Sequence, residues 1–248
     1  MKSLYLSLKQ FLRSVAYLAH DTLFRYMTCV GMVLQSAQLP DGATIALATT
    51  YGAEKDATAV SNANPGVATL EASHGVATGD FFEFTSGWSR LNQRIMKAGT
   101  VATNDVPLTG INTTDTDDYP IGTGTGTIRE ITAFTQISQI LGFETSGGEP
   151  NDVTFSYLEE NFERSLPGAA SAQKLTITIA DDATLAGYIA LAAASESRAL
   201  TALKMTLPTG AVILYNGIVF LNETPNVTKG QPMRVVATLS LQSKPTRF

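Results

Sequence analysis

From residue 171 to 180 the chain reads SAQKLTITIA, with Leu175, Ile177 and Ile179 at every second position. Period two is the repeat of a strand that buries one face, so a strand is predicted there. The same alternation returns in MRVVATLSLQS, where Val235, Ala237, Leu239 and Leu241 share a face. ALTALKMTLP and AVILYNGIVFLN flank Thr209-Gly210 and predict a hairpin over 199–222. Gly217, inside its second strand, predicts a bulge or a close backbone approach. Between these strands Asp181-Asp182 predict the N-cap of a helix running to about Glu196. Leu185, Ile189 and Ala192 or Ala193 would form its buried stripe, with Tyr188 alongside. The carboxy-terminal half therefore reads as mainly β: an antiparallel sandwich or open barrel with one packed helix.

Upstream, the apolar, β-branched segment 43–51 predicts a strand ending in a glycine turn, followed by the polar stretch AEKDATAVSNANPG. From 66 to 126 the pattern shortens. VATLEAS, FFEFTS, QRIMKAGTVA and VPLTGI are strand-like runs separated by turns, which predicts a small β-barrel. The run from Gly122 to Thr127 alternates Gly and Thr and reads as a flexible linker. No Lys-Ser/Thr follows it, so it is not a phosphate loop. REITAFTQISQIL, 129–141, alternates as one long strand, with Ile131, Ala133, Thr135, Ile137 and Gln139 on one face. Neither face is cleanly apolar, as in a strand between two protein surfaces or beside a polar cavity. Residues 147–170 hold Gly147, Gly148 and Pro150 and then a charged cluster, and read as a long, partly extended loop. Loops of that length are uncommon unless functional or disordered. The predicted organisation is a main domain from 32–65 and 127–248, interrupted by a small barrel at 66–126.

Residues 1–31 have a different texture. Leu4, Leu8, Phe11, Leu12, Val15, Leu18 and Ala19 recur at helical spacing and predict a helix over about 4–26. Arg13 breaks the apolar stretch and an A-x-A-like cleavage site is missing, which argues against a secretion signal. Met32 opens a segment that resembles a natural amino terminus, so 1–31 is expected to be an extension outside the fold.

Charge sharpens the contrast. Of 17 basic and 22 acidic residues, Lys2, Lys9, Arg13 and Arg25 stand against Asp21 in the first 31 positions. The remainder carries 13 basic and 21 acidic groups, a net of −8. No basic patch with interleaved aromatics appears, which argues against tight nucleic-acid binding. An acidic surface repels phosphate; ordinary solubility accounts for this charge first, and a conduit through which DNA slides without sticking is the alternative. Charged residues make up 16% of the chain, below the usual quarter, so much of the surface is neutral. No apolar run reaches the 18 or so residues of a membrane helix.

Candidate chemistry is sparse. Cys29 is alone, so no disulfide forms within the chain, and His20 and His74 as the histidines argue against zinc. His74 lies in a turn and reads as a polar surface group. No catalytic residue, metal site or cofactor site is expected. Glu159, Glu160 and Glu163 lack the spacing of a calcium loop and read, with Arg164, as a solvated or partner-facing loop. Asp115, Asp117 and Asp118 read likewise. A carbohydrate- or surface-binding module is the alternative, with Trp88 and Tyr119 as a sugar platform. A cell-wall hydrolase would need a His/Cys cluster or paired carboxylates in a cleft, and neither is found.

Three stretches carry a family resemblance: LQSAQLPDGATIALATTYG; SHGVATGDFFEF through LTGINTTDTDDY; and residues 171–248, with their strand, Asp-capped helix, LPTG turn and closing LSLQSKPTRF. The second is similar to a small β-domain inserted in many phage tail proteins. The order of all three resembles tail tube (major tail) proteins of long-tailed bacteriophages. The leader 1–31 departs from that pattern. The resemblance implies a fold like that of the type VI secretion tube protein, in a non-enzymatic virion subunit made in the host cytoplasm. It implies hexameric rings stacked into a hollow tube that conducts DNA, joined through sheet edges. Expected partners are further copies of itself, tail tip and terminator proteins, a tape measure protein in the lumen and passing DNA, with no membrane. The candidates for inter-ring contact are Glu159, Glu160, Glu163 and Arg164, in a loop expected to be mobile until it meets the next ring. Those for strand pairing or lumen lining are Arg129, Glu130, Thr132, Gln136 and Lys204. The 66–126 barrel would sit on the outer wall.

Overall fold

The computed structural model, which describes residues 41–248, opens with one long strand, β1 (Thr44–Val60). The strand predicted to stop near Gly52 instead continues through the polar stretch. The helix expected over 4–26 and the boundary expected at Met32 lie outside the described residues. Four short strands follow: β2 (Val67–Leu70), β3 (Phe81–Ser86), β4 (Arg94–Lys97) and β5 (Asp105–Pro107). The chain then returns along β1 as β6 (Gly126–Ile137), paired from Ala57↔Gly126 to Ile45↔Ile137. This partner is what keeps the polar half of β1 extended. Register shifts at Ala48/Thr50, Thr50/Tyr51 and Tyr51/Glu54 interrupt the two-residue repeat. The near end of β1 consequently buries Ile45 and Leu47 in one core, and the far end buries Ala57 and Val60 in another.

Around the far end a small barrel closes. β1 pairs with β2, β2 with β5, β3 with β4 and β3 with β6. An Ala98↔Leu108 bridge, and a Gly99 N–H donated to the Pro107 carbonyl at 2.7 Å, join the ends of β4 and β5. Phe82, Phe84, Trp88, Leu91 and Met96 fill the interior. The Gly-Thr run at 122–127 is part of this packing and not a linker. A Cβ on Gly124 would stand 2.8 Å from the Trp88 ring, and one on Gly126 would overlap the Thr85 carbonyl. These glycines let the backbone pass under an indole and against a strand.

The predicted strand 129–141 proves to be two. β6 ends at Ile137 and β7 (Ile140–Ser146) begins after a corner at Ser138-Gln139, where Gln139 takes a φ of 57°. Its carbonyl accepts the Ala180 N–H at 3.0 Å, which ties the corner to the strand beside it in the same sheet. A separate two-stranded arm follows, β8 (Pro150–Phe155) and β9 (Arg164–Ala170), where a loop was expected. The chain continues as β10 (Lys174–Ala180), helix α1 (Ala186–Ser197), β11 (Leu200–Thr206), β12 (Val212–Asn226), β13 (Arg234–Leu241) and the short β14 (Thr246–Arg247). The main sheet runs β6-β1-β11-β12-β13-β10-β7 with antiparallel neighbours. β6 and β7 are consecutive in sequence yet end this path, so the sheet curls until they meet at the Gln139 corner. This is the open barrel with one helix that the alternation predicted. Leu175, Ile177, Ile179, Leu203, Val235 and Leu239 meet inside it. Gly217 makes the predicted close approach, against Ser240 of β13.

The helix departs from its expected face and start. Leu185, without a side-chain bond, is the N-cap. The Asp182 carboxylate instead accepts the Thr184 N–H (3.0 Å) and hydroxyl (2.6 Å), closing a turn before the helix. Those two bonds hold the Asp182 pKa below its ordinary value. The buried residues are Gly187, Leu191 and Ala194, while Ile189 faces solvent. Gly187 sets this face: a Cβ there would lie 2.8 Å from the Ile137 Cα and the Gln136 carbonyl oxygen.

Candidate assembly surfaces

The arm is the part of the described molecule that buries least. Every residue of β9 is exposed, and in β8 only Phe155 is partly covered. Its backbone pairs internally, from Asp152↔Pro167 to Phe155↔Arg164. Its side chains nevertheless include Val153, Tyr157, Leu158, Phe162 and Leu166, with Leu158 fully exposed and Phe162 at 70%. Large apolar groups in a cluster mark an interaction surface more often than scattered ones do. The tip is ordered by local contacts. Arg164 Nη2 meets Glu160 Oε1 at 2.8 Å, its guanidinium lies 5.6 Å from the Tyr157 ring, and Phe155 packs edge-on against Tyr157. The exposed Arg–Glu pair contributes little energy but fixes the turn.

Gly147 and Gly148 build the root of the arm, with φ of 79° and 85°. A Cβ on either would overlap Ala172 or Gln173. The Gly148 N–H donates to Ser171 Oγ at 3.0 Å, and the Ser171 N–H donates to the Glu149 carbonyl at 2.8 Å. The arm thus leaves the barrel in a set direction. Of the loop candidates, the structure brings Glu160 and Arg164 together, while Glu159 and Glu163 stand exposed beside them.

Sheet edges are the second surface. β7 pairs with β10 on one side, and no described strand covers the other. β3 pairs only with 126–130 of β6, so the outer edge of 131–137 is open among the described strands. Thr132 and Gln136 are exposed on this segment. The other strand candidates are held within the subunit. Arg129 Nη2 meets Glu83 Oε2 at 2.6 Å and lies 4.2 Å over the Tyr51 ring. Glu130 is partly covered, and desolvation, then nearby Asp80, raise its carboxyl pKa. Lys204 sits 4.3 Å over Phe134 and 5.6 Å from Phe81. The hairpin formed by β11 and β12 lies inside the sheet, flanked by β1 and β13.

Sequence reasoning missed the polar cluster that ties the small barrel to the main sheet. Glu83 of β3 is 5% exposed, and it takes Arg129 on one oxygen and Asn216 Nδ2 of β12 on the other at 2.9 Å. Asn216 Nδ2 also reaches the Gln93 carbonyl at 2.7 Å. The Tyr51 hydroxyl accepts the Ala202 N–H at 2.8 Å, and burial pushes its pKa up to about 12. A charge inside the aromatic run FFEF was the available signal, since a buried carboxylate requires partners. Nearby, Arg94 Nε donates to Thr246 Oγ1 at 3.1 Å, and Phe81, Ile95, Ala202, Leu214 and Phe248 share an apolar cluster.

Two expected surface groups are interior. Trp88 is 2% exposed, donates from Nε1 to the Pro120 carbonyl at 2.8 Å, and packs against buried Tyr119. Neither ring can present a face to a sugar, so the platform reading falls. His74 is buried: Nδ1 accepts the Val76 N–H at 3.1 Å, and Nε2 donates to the Thr103 carbonyl at 3.0 Å. The ring fills a turn of the barrel where polar backbone groups need partners. Among the described residues no group of three or more His, Cys, Asp or Glu is placed to hold a metal ion. Among the described residues, no helix is long and apolar enough to cross a membrane.

Comparison with known proteins adds the family. A chain of the cryo-EM structure of the anti-feeding prophage baseplate is similar over 48% of this chain and 85% of that one, at 9% identity and a TM-score of 0.33. That likeness is too faint to argue from. No curated protein matches the chain. A family model described as phage tail tube protein matches residues 86–248, from the last residue of β3 through the main sheet, the arm and the helix. With more than half of the chain matched, the protein belongs to the phage tail tube protein family.

Proposed function

We propose that the chain is the repeating subunit of the tail tube, forming stacked, hexameric rings whose lumen conducts DNA. Membership of the family makes it a structural component of the virion tail. The ring-forming reading rests chiefly on the arm, an ordered hairpin that buries almost nothing of its own and offers Leu158, Phe162 and Leu166 to a partner. In this reading the arm packs on the adjacent ring. The open edges of β6 and β7 add to neighbouring sheets, since unpaired strand edges accept further strands. The strand candidates then divide: Thr132 and Gln136 lie on the pairing edge, while Arg129, Glu130 and Lys204 stiffen the subunit behind it. The net acidic body repels DNA phosphates and favours passage over binding. Tail tip and terminator proteins would meet the same edges at the tube's ends, a tape measure protein would occupy the lumen during assembly, and the small barrel would lie on the outer wall.

Negative-stain images of concentrated, purified protein test the proposal. Rings or hollow tubes are expected, and deleting residues 159–164 is expected to leave a folded monomer that builds neither. Full-length tubes from the deletion variant would remove the arm from the mechanism. A wild-type protein that stays monomeric even when seeded with tail tips would remove the tube.

A further inference from the structure

A groove of about 610 Å³ lies between the root of the arm and the carboxy-terminal tail. Its walls are the turn after β3 (Ser89, Arg90, Asn92), the root segment 170–173, and residues 241–245. Among the described lining residues the charged ones are Arg90 and Lys244, both basic. Arg90 meets Asp118 at 2.7 Å but keeps half its side chain exposed, and Lys244 is exposed. Leu241, Pro245 and Ala172 add apolar wall.

The tip of the arm has the complementary character. Glu160 is matched by Arg164, which leaves Glu159 and Glu163 as exposed carboxylates around the apolar Leu158 and Phe162. The tip cannot reach the groove of its own subunit. The groove sits at the root, and β8 runs five residue steps, roughly 17 Å, before the tip begins.

We propose that this groove receives the 157–163 tip of a second copy of the chain, with Lys244 facing Glu159 and Glu163. The inference rests on the ring-forming reading and names the receptor that reading leaves open. Tip and groove are different surfaces, so the contact is heterologous, and each bound copy presents a new groove and a new tip to the next.

Charge reversal in the full-length protein tests it, with assembly followed by light scattering and negative stain. Lys244→Glu is expected to slow assembly about tenfold or more, and Glu159→Lys with Glu163→Lys to do the same, because rim charges act mainly on association rate. Combining all three is expected to restore assembly towards the wild-type rate. Independently, Glu163→Cys with Lys244→Cys, in a Cys29→Ser background, is expected to give disulfide-linked multimers on oxidation of assembled tubes. Wild-type rates for Lys244→Glu, no rescue in the triple variant, or monomers alone after oxidation would overturn the groove assignment. The tube reading would survive any of these while the 159–164 deletion still blocked assembly. A wild-type chain that never assembles would sink both.

Discussion

The small barrel and the arm are both built from antiparallel strands, and they resolve their polar and apolar groups in opposite ways. In the barrel six strand segments close on one another, and Phe82, Phe84 and Trp88 vanish from solvent. Even its histidine and its Gly-Thr run are spoken for by specific backbone contacts. The arm has two strands and no interior. A lone hairpin is at best marginally stable in water, so its order comes from a rigid root, a pinned tip and, in our reading, a neighbour. In that reading, stability within the subunit and the capacity to join another subunit lie in different residues, and substitutions should separate them.

The largest expected loss of monomer stability is at Trp88. Trp88→Ala removes a fully buried indole and leaves a cavity over Gly124, at a cost of about 3–5 kcal/mol by analogy with buried aromatic truncations. Thermal denaturation of the monomer should show a large fall in Tm. A shift of only a degree or two would mean the barrel interior can collapse.

Next comes Glu83→Ala, which leaves the partly buried Arg129 without its carboxylate and takes from the fully buried Asn216 one of its two acceptors, the Gln93 carbonyl remaining. Breaking one side of such a pair costs about 3 kcal/mol, less here because Arg129 retains some solvent. Replacing both partners, Glu83→Gln with Arg129→Met, should recover part of that loss. If the double variant is no better than the single, the pair is not the joint between barrel and sheet.

Alkaline pH probes the same joint. The Tyr51 hydroxyl has its pKa raised from 10.0 to about 12, so the folded state disfavours the phenolate relative to the unfolded chain. Its contribution is intact below pH 10 and declines as pH climbs from there towards 12. The slope from one such group is at most about 1.4 kcal/mol per pH unit. Denaturant titrations across that window should show the decline, and Tyr51→Phe should flatten it. An unchanged slope in Tyr51→Phe would assign the alkaline limb to other tyrosines.

What the sequence revealed follows this division. SAQKLTITIA and the hairpin around Thr209-Gly210 were legible because alternation and turn chemistry are local and the structure keeps them, and FFEFTS because its aromatic residues favour a strand. The far half of β1 was not, since its polar residues face solvent and its bulges break the period; it is a strand because β6, some seventy residues away, pairs with it up to Ala57 and β2 pairs with its end. The helix face was misjudged because one close approach, Gly187 on Ile137, outweighs the placement of larger apolar residues. RSLPGAA was unreadable as a strand, given its Pro and Gly, yet it pairs at the edge of a two-stranded arm where a missing donor costs little. For the candidate assembly surfaces, the acidic cluster at 159–163 was legible as an exposed segment. The exposed edges of β6 and β7 were not, because an edge is a property of the completed sheet.

The smallest effect on stability should accompany a complete effect on assembly. Leu158→Ser with Phe162→Ser changes two side chains that touch little in the subunit, and exposed substitutions of this kind shift stability by less than about 0.5 kcal/mol. Monomer Tm and far-UV circular dichroism should match the wild type, because neither residue contributes to a core. Tube formation should fail, because apolar anchors at the centre of an interface carry most of its binding energy while their neighbours mainly exclude water. Were the double variant to lose monomer stability instead, the arm would have to be folded back on its own subunit. Were it to keep both stability and assembly, the exposed apolar groups of the arm would be incidental, and the open edges of β6 and β7 would have to hold the tube together alone.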